Sequence, residues 1–205
     1  MKQLHTVLAV ALLAGTTARA DVVVFEDEAA FLAAAPIVGT ITFDDLPNAQ
    51  VPGLLEIANV KFGTRGIWQL PGTCSAEKTL GANNIERRNI TFVAQDGGAG
   101  AVSAIGFRLS TFAVFPPADF AIAVLTADGA VTLNLINDAV SGSPPYRGFA
   151  STSRIEKIVI QAVGSTQWNF CLDDVSHSAI MATAGVDSET YPDVSQMDKT
   201  FTISK

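Results

Sequence analysis

Two pairs of adjacent carboxylates, Asp44-Asp45 and Asp173-Asp174, are the residues whose type and spacing best suit them to chemistry. Each pair follows a short apolar run, Ile41-Thr42-Phe43 in one case and Phe170-Cys171-Leu172 in the other, and so belongs where a strand ends in a turn. Brought together, they would supply oxygens to a hard cation, since calcium takes about six to eight oxygen ligands from carboxylates, carbonyls and water. Asp44, Asp45, Asp173 and Asp174 are therefore candidate calcium ligands. The alternative is that they cap backbone amides, because adjacent aspartates are common turn formers. A carboxylate pair also serves glycoside hydrolysis, at about 5 Å separation for retention or about 6.5–9.5 Å for inversion.

The candidate ligand-binding residues are aromatic, with one cation. Trp68, Trp168 and Tyr146 can stack on the apolar face of a sugar ring, although core packing is the usual fate of such side chains. Tyr146 stands in Ser143-Pro144-Pro145-Tyr146-Arg147-Gly148, which reads as a rigid display loop, and Arg147 beside it can fork onto a carboxylate such as that of a uronic acid. His177 follows the second acidic pair but lacks the positioned nucleophile that would give it catalytic use. The chain contains no Gly-x-Ser-x-Gly elbow, no His-Glu-x-x-His, and no phosphate-cradling glycine loop; Gly97-Gly98-Ala99-Gly100 reads as a flexible turn. No catalytic residue is assigned.

The elements that must position these side chains are short and mostly extended. Glu26 to Ala35 predicts one helix, with acids in its first turn, alanines in its body and Pro36 as its stop. Apolar runs then alternate with Gly, Pro, Asn and Asp, at Val38–Phe43, Ile57–Phe62, Ile90–Val93 and Val102–Leu109, the rhythm of antiparallel β structure. Phe120–Thr126 and Val131–Ile136 flank Asp128-Gly129 and predict a hairpin, with Val131, Leu133 and Leu135 buried and Thr132 and Asn134 wet. Ile155 to Val163 reads as a core strand in which Glu156 and Gln161 mark solvent contacts. The fold expected is a mainly β, antiparallel two-sheet sandwich of jelly-roll type with one short N-terminal helix, its first and last strands side by side.

Lys2, the apolar run Val7–Ala14 and Ala18-Arg19-Ala20 have the form of a cleaved signal peptide over residues 1–20. That run is shorter than the roughly 20 apolar residues of a membrane-spanning helix, so no membrane insertion is expected after cleavage. The sandwich domain is placed at 21–180 and a polar tail or edge strand at 181–205. Loss of Lys2 and Arg19 takes the formal charge from −7 to −9, which disfavours nucleic acid and anionic membrane as partners. In an exported chain, Cys74 and Cys171 are expected to form one disulfide. In a eukaryotic secretory pathway, Asn89-Ile90-Thr91 would be a glycosylation acceptor and would have to lie on the surface.

Phe25 through Phe31, Ile41-Thr42-Phe43-Asp44-Asp45-Leu46, Ala104-Ile105-Gly106-Phe107 and Leu172-Asp173-Asp174-Val175, in that order, resemble the secreted bacterial β-sandwich proteins of the PEP-CTERM-associated type. The resemblance covers roughly residues 22–178 through short motifs. It implies an exported or surface-associated protein. The Pro-Glu-Pro, terminal apolar helix and final arginine cluster of the sorting tail are not in this sequence, and free secretion is the expectation. Taken together, the residues predict a secreted, non-enzymatic sandwich that binds extracellular polysaccharide or a surface component, with calcium as a structural cofactor. The alternatives are a jelly-roll carbohydrate-active hydrolase or lyase, and a structural matrix or adhesion protein.

Overall fold

The structure, a computed structural model, describes residues 22–45, 50–51, 55–63, 67–71, 78–85, 87–111, 118–139, 144–163 and 168–184. Strand β1 (Val22–Phe25) leads into helix α1 (Glu28–Ala34), followed by β2 (Ile37–Ile41), β3 (Gln50–Val51), β4 (Leu55–Ile57), β5 (Val60–Gly63), β6 (Ile67–Pro71) and β7 (Lys78–Ile85). Then come β8 (Arg87–Val93), β9 (Ala99–Thr111), β10 (Ala118–Thr126), β11 (Val131–Ala139), β12 (Tyr146–Ala162), β13 (Trp168–Ser178) and β14 (Met181–Ala182). Every pairing among the described residues is antiparallel.

The long strand β12 makes the two layers. Its start, Tyr146–Ala150, lies between β9 and β1, whereas its end, Lys157–Gln161, lies between β10 and β8. Between these halves Arg154 takes a left-handed φ of 60°, a bend by which the strand changes sheets. The first layer runs β1-β12-β9-β13, with β2 and then β7, β6 and β3 beyond β13; the second runs β11-β10-β12-β8-β5-β4. One core lies between them. Ile105, Phe107, Leu109, Phe149 and Leu172 of the first layer meet Phe62, Ile90, Phe120, Ile122, Ile158 and Ile160 of the second, and all are completely buried. This is the expected antiparallel β-sandwich, and β2 does lie against β13, with Ile41 opposite Val175.

Local differences from expectation have local causes. Ile57–Phe62 is two strands, because Ala58 and Asn59 adopt φ of 48° and 64° and turn the chain into a β4–β5 hairpin. The β10–β11 hairpin forms as expected, but with the faces of β11 reversed. Asn134 stands opposite Ile122 on the core side, placing Leu133 and Leu135 on the outer side. The reason is Arg147, whose Nε donates to Asn134 Oδ1 at 3.1 Å and satisfies the inward amide. Glu156 and Gln161 are also not wet; they are buried.

Helix α1 is capped by Asp27, whose Oδ1 accepts from Ala30 N at 2.7 Å. It packs on the outer face of the first layer through Phe31, which joins Ala35, Ala104 and Tyr146 in a second small core. The ring needs space that two glycines provide. Gly106 and Gly148 are directly opposite across β9 and β12. A Cβ on Gly148 would lie 2.5 Å from Phe31 Cδ2, and one on Gly106 would run into the Tyr146 ring and lie 2.9 Å from Phe31 Cε1. Gly106→Ala is therefore expected to destabilise by about 1–3 kcal/mol through overpacking, read as a lowered urea midpoint; an unchanged midpoint would mean that α1 shifts freely.

Candidate functional site

The acidic pairs converge, and an arginine stands among them. The register between β13 and β9 slips by one residue after Asp173, leaving Asp174 as a bulge with φ 49°, a conformation aspartate tolerates. The bulge turns the Asp174 carboxylate toward Arg108 of β9, with Oδ2 at 3.3 Å from Nε. Arg108 Nη2 pairs with Glu28 at the start of α1, and its guanidinium lies 5.8 Å from the centroid of the Tyr146 ring. Asp44 acts electrostatically on Asp174 from the turn after β2. There Phe43 has φ 62° and sets its ring against Phe62 at 5.3 Å. Asp173 is buried and its Oδ1 accepts from the Asp174 amide at 3.0 Å, while Asp45 is exposed.

The result is a clamp between helix and sheet. Burial, and then the Glu28 charge, push the Asp174 carboxyl above its ordinary 3.8, against the opposing pull of Arg108. A carboxyl raised in the folded state binds protons more readily there than in the unfolded chain. Its contribution to stability is thus greatest in acid and is lost as pH rises from the unfolded value through the folded one. Asp174→Asn keeps a residue suited to the bulge and removes that titration. Subtracting the variant's unfolding free energy from that of the wild type, measured from pH 3 upward, is expected to give a difference that falls as pH passes above 3.8. A difference that rises instead would mean that Arg108 outweighs burial. Among the described residues no group of three or more His, Cys, Asp and Glu side chains could hold a metal ion.

The other candidates are distributed as follows. Tyr146 opens β12 and is not in a loop; it is 4 % exposed, packs on Phe31 at 5.8 Å, and its hydroxyl is raised in pKa by burial and then by Glu28. Arg147 points to the opposite side, where Nη1 donates to the Tyr146 carbonyl at 2.8 Å and Nη2 pairs with Glu26 at 3.2 Å. Burial lowers its pKa and Glu26 partly restores it. In backbone register Trp68 stands opposite Gly81 and Trp168 opposite Ile85; their side chains lie outside the described residues, as does Cys74. Cys171 is 2 % exposed, and no described cysteine is free. His177 is buried, with Nδ1 at 2.9 Å from the Ser178 carbonyl.

A second constellation was not singled out by the sequence. Six described, buried side-chain oxygens have no hydrogen-bond partner: those of Thr79, Asn89, Ser110, Tyr146, Glu156 and Gln161. Thr79, Ser110 and Tyr146 lie on the outer side of the first layer. Asn89 and Gln161 lie on the outer side of the second, because their strand neighbours Ile90 and Ile160 point into the core. Glu156 is the extra residue of a bulge where Leu125 pairs with Lys157 and Thr126 with Ile155. The legible signal was polar residues interrupting the apolar run of β12.

No family model matches the chain, and no curated protein matches it. Among solved structures it is similar to the CBM22-1 xylan-binding domain of Xyn10C from Paenibacillus barcinonensis, at 14% identity and TM-score 0.42, over 73% of this chain and 97% of that one. It is also similar to the family 11 carbohydrate-binding module of the cellulosomal cellulase Lic26A-Cel5E of Clostridium thermocellum, at 13% identity and TM-score 0.35, over 72% and 99%. A third is CsCBM6-3 from Clostridium stercorarium in complex with cellobiose, at 16% identity and TM-score 0.33, over 68% and 92%.

Proposed function

We propose that this protein is a secreted, non-enzymatic β-sandwich that binds extracellular polysaccharide. The observation that carries the reading is the two-layer antiparallel β-sandwich behind a leader-like segment, in a sequence without a catalytic motif. The hydrolase reading has less support, since the two best-placed carboxylates, Glu28 and Asp174, are both paired with Arg108. Residues 1–20 are proposed as the leader of the exported chain, and Cys74 and Cys171 as its disulfide.

The test is retention of residues 21–205 on a panel of insoluble and soluble polysaccharides, with reducing sugar measured in the same wells. Retention without sugar release is the expected result. Release would make the protein an enzyme, and neither signal would favour a structural matrix role. We read the acidic corner as an arginine clamp with no need of calcium, so the melting temperature is expected to be equal in calcium and in chelator. A calcium-dependent rise would return Asp44, Asp45, Asp173 and Asp174 to a metal role.

A further inference from the structure

We infer that β11 is a pairing edge for a second copy of this chain, through which the second layer continues as one sheet across a two-fold dimer. Among the described residues β1, β2, β3, β4, β11 and β14 pair on one side only. β11 is the longest of them at nine residues, and the others have five or fewer. A free edge is a row of unpaired N–H and C=O groups, which sheet proteins blunt with charge, proline, bulges or brevity. Val131–Asn137 holds no charged residue, no proline and no glycine, and its register with β10 is unbroken from Val131 to Ile136.

The ladder fixes which backbone groups face outward. Thr126 N donates to Ala130 O at 3.0 Å, so Thr132, Asn134 and Ile136 in turn direct their N–H and C=O groups to β10. Val131, Leu133 and Leu135 therefore direct theirs to the open side. The contact with Arg147 agrees, since its Nη2 lies 3.5 Å from the Leu135 carbonyl. That carbonyl can still take a ladder bond, because it has two lone pairs. Val131, Leu133 and Leu135 are half-buried and Asn137 is exposed, so the edge is within reach of a partner strand.

The residue pattern selects a second copy as the occupant. Antiparallel pairing about Asn134 sets Leu133 of each copy opposite Leu135 of the other, with Val131 opposite Asn137 and Thr132 opposite Ile136. The leucines of both copies then adjoin on the outer face of the second layer, next to Ala123 and Ala121 of β10. Pairing about Leu133 instead would set Asp128 against Asp138 in both directions, and like charges directly opposite disfavour it. At the two-fold axis each Arg147 keeps its own counter-ion, Glu26 at 3.2 Å. The charge of −9 that remains without Lys2 and Arg19 opposes the approach of two copies elsewhere, so an uncharged edge is where they can meet. A ladder of about 20 Å buries less than a permanent dimer does, and the association is expected to depend on concentration.

The experiment is sedimentation velocity of residues 21–205 over a concentration series, with Leu133→Pro and Leu133→Lys compared with the wild type. Leu133→Pro removes an outward N–H and no bond to β10, the position at which a sheet tolerates proline. Leu133→Lys blunts the edge with charge and serves if the proline variant fails to fold. The wild type is expected to pass from monomer to dimer as concentration rises, and both variants to stay monomeric with the far-ultraviolet circular dichroism of the wild type. Amide exchange of the wild type reads the edge without any variant. Leu133 and Leu135 amides are expected to slow about tenfold in the dimer, while those of Thr132, Asn134 and Ile136 are protected at every concentration. A wild type monomeric throughout would overturn the proposal. So would dimerisation of the folded variants, growth beyond the dimer, or concentration-dependent protection confined to another strand.

Discussion

Phe31→Ala is expected to lower stability by about 3–5 kcal/mol, the usual cost of removing a buried aromatic ring. Phe31 is fully buried, meets Phe25 at 5.6 Å and Tyr146 at 5.8 Å, and fills the notch over Gly106 and Gly148. The seven-residue helix α1 is too short to persist without tertiary packing. Its loss would also withdraw Glu28 from Arg108 and uncover Tyr146. The effect should therefore exceed that of a single cavity and appear in urea unfolding as a much lower midpoint. A loss below about 1 kcal/mol would mean that the outer face of the first layer does not depend on α1, since that is well under the usual cost of truncating a buried aromatic ring.

Removing the proposed disulfide, as Cys74→Ala with Cys171→Ala, is expected to cost about 2–5 kcal/mol. The crosslink would tie the segment between β6 and β7 to the middle of β13, restricting the unfolded chain over most of the sandwich. Cys171 stands opposite Gly81 on one side and Ser110 on the other, inside the sheet and nearly inaccessible. The double variant should melt roughly 4–20 °C lower, using about 2–4 °C per kcal/mol for a domain of this size. Non-reducing peptide mapping of the native secreted protein should return one crosslinked pair. Two alkylatable thiols there, or an unaltered melting temperature in the variant, would contradict it.

The pattern of legibility follows from what sequence encodes locally. The hairpin at Asp128-Gly129 and the stop of α1 before Pro36 depend on residues with narrow backbone preferences, and both were readable. The turn at Ala58-Asn59 was missed because alanine gives no sign of a left-handed φ. Hydropathy alternation in β11 was real but pointed the wrong way, since Asn134 is satisfied inward by an arginine 13 positions along the chain. Similarly, Asp44 and Asp174 were expected to meet and do interact, yet Arg108, distant from both in sequence, was the missing member. Long-range partners decide whether a polar residue is wet or buried, and adjacent residue types do not report them.

Glu156 and Gln161 look like ordinary surface residues of an amphipathic strand, and only the folded structure shows that they are buried. By contrast, Tyr146 has the composition of a display residue and serves instead as the bed of α1.

The most direct measurement is equilibrium binding of residues 21–205 to soluble neutral polysaccharide by isothermal calorimetry, with reducing sugar measured after the titration. Saturable heat without sugar release is predicted. Absence of binding across neutral and acidic polysaccharides, or release of sugar by the wild type, would contradict a non-enzymatic polysaccharide-binding function.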